Sequence, residues 1–183
     1  MITKNTPSKK APSTQDKKSA KKPWQWVKDI VKLVIILTLF SIGMDTWRGQ
    51  DMPSEEIPTL AAHTLDQQWV DIEKMSYEKP VLLYFWATWC PVCKLVSPSV
   101  DWLADKYQVV SVAITSGENQ RVAQFMKYKK YNFPVINDPT GKIGQQWGVT
   151  ATPSIMIIKD GHISSITTGA TTPIGLWLRL IFA

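Results

Sequence analysis

The chain has 183 residues, about one domain at ~100–200 residues each with some length to spare, and 44% apolar with 20% charged residues excludes wholesale disorder. Two cysteines, Cys90 and Cys93, are too few for a disulfide scaffold and form a C-x-x-C pair with a local purpose. The net charge of +6 belongs to the N-terminus: residues 1–32 hold nine Lys and two Asp (+7), and the rest hold 12 Lys and Arg against 13 Asp and Glu (−1), which argues against a nucleic-acid partner for the folded part.

Residues 1–23 carry seven lysines and three prolines with almost nothing apolar, and read as a disordered basic cytoplasmic tail. Residues 24–47 read as one N-terminal transmembrane helix, a signal-anchor. Its strictly uncharged core, 33–44, is short, but Lys28 and Lys32 can snorkel at the basic end, and Asp29 can pair with Lys32. Trp26 and Trp47 bracket the segment, and 21 steps of 1.5 Å give ~32 Å, close to the hydrocarbon thickness. The lysine-rich side stays in the cytoplasm, so the chain is expected to be a single-pass protein of a bacterial inner membrane with its C-terminal domain in the periplasm. Ser41-Ile42-Gly43 is a small-x-small site, so cleavage as a signal peptide is one alternative, which delivers the domain to the same compartment, and a buried soluble helix is the other. Residues 48–57 read as a polar linker, and 58–183 as the soluble domain.

Within that domain, residues 70–72 predict a short edge strand and the apolar run 81–85 a buried central strand. Residues 91–107 predict a helix: Pro91 suits its first turn, Val92, Leu95, Val96, Val100, Leu103 and Ala104 recur at helical spacing, and Pro98 should kink it. A second buried strand follows at 109–114, then an amphipathic helix at 119–130 with Val122, Phe125 and Met126 inward. A short strand at 134–136, a turn at 138–141 and a helical turn at 143–147 come next. A strand at 154–159, an Asp160-Gly161 hairpin turn, its partner strand at 162–168 and a closing helix at 173–182 complete the domain. The pattern is α/β and calls for a central mixed sheet flanked by helices.

The chemistry sits at the start of the 91–107 helix. A buried strand ends, a short turn follows, and Cys90 lies beside unpaired backbone N–H groups at the positive end of the helix dipole. That setting favours thiolate and lowers the pKa. Cys93, one turn deeper, is expected to be more buried, so Cys90 attacks and Cys93 resolves. Pro91 and Val92 bring no charge, so the dipole and local hydrogen bonds tune the redox poise. Zinc needs four ligands, and His63 and His162 lie far from the pair in sequence, so no metal site is expected. A Cu(I) carrier and an inert structural disulfide remain as alternatives to a redox-active dithiol; small copper carriers place Met where Thr88 stands.

Residues 85–94 (FWATWCPVCK), Pro98, and 147–154 (WGVTATPS) resemble the thioredoxin superfamily. The helix–strand insert at about 117–136 resembles its membrane-anchored TlpA/ResA branch, closest to the ScsD (suppressor of copper sensitivity D) type of protein disulfide oxidoreductase. The resemblance implies a thioredoxin-like fold and disulfide oxidoreductase activity with no cofactor. It further implies a cis Pro153 against the cysteines, Thr152 free to pair with a substrate strand, and Trp89 as an aromatic lip beside Cys90. Trp86 reads as core and Lys94 as a solvated helix residue. Implied partners are protein thiols and disulfides and a membrane thiol transducer. Two positions depart from the pattern. Tyr84 stands where thioredoxin has a buried Asp, and a phenol is a poor base near neutrality, which leaves water or another group such as Glu118 to deprotonate Cys93. Ser154 stands where the cytochrome c maturation branch has Glu. The readings are therefore a tethered oxidoreductase with a link to copper or redox stress, a Cu(I) carrier on the same two sulfurs, or a dedicated thiol relay to one partner.

Overall fold

The computed structural model describes residues 28, 29, 31–33, 36 and 57–183. The chain divides into two units, 1–40 and 41–183. The six described residues of the first unit are helical. No helix among the described residues is long and apolar enough to cross a membrane. The tail at 1–23, most of the expected span at 24–47, and the linker up to residue 56 lie outside the described residues.

The second unit opens with an antiparallel pair, β1 (Ala61–His63) and β2 (Trp69–Asp71). The expected strand at 70–72 therefore stops at Asp71 and is no edge of the central sheet. The reason is a helix cap. Asp71 accepts the Lys74 N–H at 3.2 Å, and fully buried Ile72 begins α1 (Ile72–Glu78).

The central sheet has the order β5-β4-β3-β6-β7, built from β3 (Val81–Trp86), β4 (Gln108–Ile114), β5 (Val135–Asp138), β6 (Ser154–Lys159) and β7 (His162–Thr168). β3, β4 and β5 run parallel; β6 and β7 are antiparallel to their neighbours. β3 is buried along all six residues, as a continuous apolar run at the centre of a two-faced sheet requires. Its side chains alternate between faces. Val81, Leu83 and Phe85 join Ile72 and Trp147 in one core, under α1 and α4 (Lys142–Gln146). Leu82, Tyr84 and Trp86 join the other core, with α2 (Pro91–Ala104), α3 (Asn119–Lys129) and α5 (Pro173–Phe182). The thioredoxin-like mixed sheet with helices on both faces is thus present, and the insert at about 117–136 forms α3 and edge strand β5.

Two details set the termini of the elements. The β6–β7 hairpin turns on Asp160 and Gly161, with φ of 51° and 75°, as a two-residue type I′ turn needs. Gly161 suits that position because of its φ of 75°, in the left-handed region that L side chains rarely adopt. α2 continues through Pro98 to Ala104, packing inward through Cys93, Val96, Val100 and Leu103. Val92 and Leu95, expected on that inward face, point out instead and are 36% and 75% exposed.

That division predicts contrasting mutants. Leu82→Ala, at a fully buried site, should cost about 2–5 kcal/mol in urea unfolding. Leu95→Ala should stay within about 0.5 kcal/mol.

Candidate active site at the start of α2

Strand β3 delivers the chain to the site. After Trp86 the backbone turns, the Cys90 N–H donates to the Ala87 carbonyl at 3.2 Å, and α2 begins with Pro91. Pro91 loses no hydrogen bond there, because the first helical N–H groups have no partner within the helix. Cys90 is the N-cap residue, with extended backbone, and its sulfur takes the place usually held by a Ser or Asp oxygen. The Cys93 N–H donates to Cys90 Sγ at 3.0 Å. The two cysteines are joined as a disulfide with Cα atoms 5.3 Å apart.

The expected contrast in burial is small in this oxidised form: Cys90 is 3% exposed and Cys93 1%. The asymmetry lies in hydrogen bonding. Cys90 Sγ faces the Cys93 N–H on one side and the Thr152 carbonyl oxygen, at 3.5 Å, on the other. Thr152 is 62 residues away in sequence and arrives through sheet register. β6 pairs with β3 so that Ser154 lies opposite Phe85, which sets the preceding Thr152-Pro153 beside the cysteines. The Thr152–Pro153 bond is cis, and the Pro153 carbonyl accepts the Gly169 N–H at 2.8 Å. Ser154 is buried and donates its hydroxyl to the Ala151 carbonyl at 2.8 Å, so it is a structural residue of this loop.

Trp89 is 60% exposed beside Cys90, its Nε1–H donating to the Thr115 carbonyl at 3.1 Å. The neighbouring Thr88 N–H donates to Ser116 Oγ at 3.0 Å. The loop after β4 therefore holds the lip, a role for Thr115 and Ser116 that has no sequence signature. With Pro91, Val92 and Leu95 also exposed, the cysteines lie in an apolar rim. Trp86, by contrast, is fully buried and donates to Ser111 Oγ at 3.1 Å, as a core residue. Lys94 is exposed on α2.

No charged side chain lies in the first turn of α2 except Lys94, and no acid is present there. Glu118, considered as a base for Cys93, is exposed at the N-cap of α3. Instead, Tyr84 approaches the backbone of Cys93, and Ser97 approaches Tyr84. Tyr84 Oη lies 3.4 Å from the Cys93 carbonyl oxygen and 3.0 Å from Ser97 Oγ. Burial raises the Tyr84 pKa well above the usual phenol value, so it stays neutral and is no base near neutrality. Ser97 was legible only as the residue one turn beyond Cys93. Among the described residues, no three of His, Cys, Asp and Glu gather as a metal site.

A buried disulfide at a helix N-terminus, with one sulfur in an apolar rim, suits thiol–disulfide exchange. Comparison with known proteins agrees. The AhpC/TSA family model matches residues 53–166. A thioredoxin-like protein of Haemophilus influenzae is 35% identical over 86% of this chain and 94% of its own. The thiol-disulfide oxidoreductase ResA of Bacillus cereus is 30% identical over 76% and 87%. Among solved structures, a secreted Mycobacterium tuberculosis disulfide oxidoreductase homologous to Escherichia coli DsbE superposes with a TM-score of 0.58 at 25% identity, covering 68% of this chain and 96% of that one. The chain belongs to the AhpC/TSA thioredoxin-like family and, within it, to the thiol-disulfide oxidoreductases of the ResA and DsbE type.

Proposed function

We propose that this oxidoreductase is tethered by residues 24–47 to a bacterial inner membrane, with 1–23 in the cytoplasm, 48–57 as linker and 58–183 in the periplasm. There it exchanges the Cys90–Cys93 dithiol with protein substrates. The observation that carries the chemistry is the position of Cys90 Sγ, at the cap of α2 with the Cys93 N–H donating to it.

In the reduced protein, the cap N–H and the helix dipole stabilise the Cys90 thiolate. That thiolate attacks a substrate disulfide, and the substrate's far sulfur leaves. Cys93 then attacks Cys90 Sγ, releasing the second substrate thiol and closing the disulfide. Run in reverse, the same steps reduce the protein and oxidise a substrate dithiol. Thr152 and Pro153 would line the docked strand, and Trp89, Val92 and Leu95 would receive its apolar side chains. Pro91 and Val92 leave the redox poise to the dipole and hydrogen bonds. The direction in the cell follows from the reduction potential: a value near about −270 mV marks a reductant fed by a membrane thiol transducer, and one near about −120 mV an oxidant.

A dedicated relay of the cytochrome c maturation type is a narrower version of the same chemistry. Ser154, bonded into its own loop, stands where that branch carries Glu. The link to copper rests on the ScsD resemblance. A Cu(I) carrier would use the same two sulfurs and is distinguished by function: it would pass Cu(I) to another carrier without thiol–disulfide turnover.

Cys90→Ser should abolish exchange. Cys93→Ser should trap substrates as mixed disulfides on Cys90, visible as thiol-sensitive bands on non-reducing gels. Copper transfer without any such turnover would establish the carrier instead. For topology, a reporter fused to the C-terminal domain should act only outside the cytoplasm, and cytoplasmic activity would overturn the tethered orientation.

A further inference from the structure

α2 carries two apolar stripes, and only one of them is covered. Cys93, Val96, Val100 and Leu103 face the core, whereas Pro91, Leu95, Pro98 and Trp102 are exposed. The exposed four stand at i, i+4, i+7 and i+11, which is one face of a helix. They run from the turn that holds Cys90 to the far end of α2, with Lys94 and Asp101 along one flank. α5 meets α2 at that far end, where Trp102 joins Pro173, Ile174 and Trp177 around an open cleft of about 260 Å³. The Trp177 Nε1–H donates to Tyr107 Oη at 2.8 Å, which holds the ring as a wall of the cleft. Lys106 Nζ lies 5.3 Å from the centre of the Trp102 ring.

This surface is built for contact. α5 is apolar on both faces: Leu176 and Leu180 are buried, yet Ile174, Leu178 and Ile181 are open, with Ile174 69% exposed. A surface helix ordinarily turns polar residues to water, and a run of exposed apolar side chains bordered by charge marks an interaction site. The cleft falls below the ~300–1,000 Å³ of small-molecule sites and presents only apolar surface, so it suits one large side chain rather than a free ligand. Its distance from the sulfur says what carries that side chain. From Pro91 to Trp102, the 1.5 Å rise per residue gives about 16 Å along α2. An extended chain covers that in about five residues at ~3.3 Å each. The stripe is also continuous with the rim of Trp89, Val92 and Leu95, against which a substrate sulfur must lie to reach Cys90. A polypeptide reacting at Cys90 meets both ends of the stripe; a bilayer or a second copy seated on α5 has no reason to follow α2 to the sulfur.

We propose that the cleft between Trp102 and Trp177 is an exosite for protein substrates, taking an aromatic or large aliphatic side chain about five residues from the reacting cysteine. The inference deepens the proposed thiol–disulfide exchange and rests on it. The substrate strand lies along Leu95 and Pro98 with its anchor in the cleft and its cysteine at the rim. The Cys90 thiolate attacks that cysteine's sulfur, and the other sulfur of the substrate disulfide leaves with the bonding pair and takes a proton from solvent. Cys93 then gives up its proton to solvent and attacks Cys90 Sγ, and the anchored cysteine leaves as the second thiol. The dithiol of the protein is oxidised to a disulfide, and the substrate disulfide is reduced to two thiols. The anchor changes none of these bonds. It holds the sulfur beside Cys90 before attack, which raises the local concentration of the reacting group. Trp102 and Ile174 are thus specificity-determining residues that select the substrate.

The test uses the full chain, reduced, and polar peptides whose single cysteine is joined by a disulfide to glutathione. One peptide carries Phe about five residues from the cysteine, a second carries Phe about two residues away, and a third carries Ala at the longer spacing, each made with the anchor on either side of the cysteine. The rate constant for oxidation of the chain is read by trapping its remaining thiols with a maleimide and resolving the products on a gel. In one polarity the long-spaced Phe peptide should react about tenfold faster than the Ala peptide, and the short-spaced one should gain less. Trp102→Ala and Ile174→Ser should each bring that ratio close to one, and Trp102→Phe should keep most of it. Ile174→Ser, at the more exposed position, carries the test if Trp102→Ala does not fold. A ratio near one in the unaltered chain, a gain independent of spacing, or a gain that survives both substitutions would overturn the exosite. So would a ratio near one together with self-association of the chain that Ile174→Ser abolishes, which would give the face to a second copy. Failure of every disulfide, glutathione disulfide included, to oxidise the unaltered chain would instead refute the exchange function on which the exosite rests.

Discussion

A helix that begins on a sulfur is the constraint from which the site follows. Cys90 Sγ accepts the Cys93 N–H at 3.0 Å, filling the position that an oxygen cap fills in other helices. That bond fixes the helix start, and the helix start fixes the spacing. Cys93 falls one turn on, close enough for a disulfide, with its own backbone N–H already committed to its partner. Pro91 fits between them without loss. The same cap and the dipole behind it favour a negative sulfur at Cys90 and offer Cys93 nothing comparable. Chemical asymmetry thus arises from backbone geometry, although the two residues are almost equally buried.

The sheet supplies the rest. β3 runs through the centre, and its alternation sends Tyr84 and Trp86 to the face that α2 covers. Trp86 is anchored on Ser111 from β4, and Tyr84 reaches the Cys93 turn from below. The antiparallel register of β6 against β3 then brings Thr152 and Pro153 to the sulfur across a large sequence separation. Three neighbouring strands therefore position the helix start, its underside and the Thr152–Pro153 wall beside it. The apolar rim of Trp89, Val92 and Leu95 stays exposed because the core is already filled from the other side of α2.

Much of this was legible in the sequence because its signals are local. The apolar run at 81–85, the Asp160-Gly161 turn and the 173–182 helix each carry their own period, turn chemistry or cap. β1 and α1 were not legible. Three-residue β1 has too little pattern, and α1 depends on Asp71 acting as a cap, which reads equally well as a strand residue. The C-x-x-C pair announced its chemistry, and the cis proline followed from the family resemblance. Helical spacing alone could not separate the two apolar stripes of α2, so Val92 and Leu95 read as core. Ser97, Thr115 and Ser116 act through tertiary contacts to Tyr84, Trp89 and Thr88, which no local pattern encodes.

The central claim is that the cap makes Cys90 the more acidic and more reactive thiol. Its most direct measurement is competitive alkylation of the fully reduced protein at about pH 6, with the labelled cysteine identified by mass spectrometry. The account predicts that Cys90 is labelled well before Cys93. Equal labelling rates, with both thiols titrating near the ordinary value of about 8.5, would contradict it.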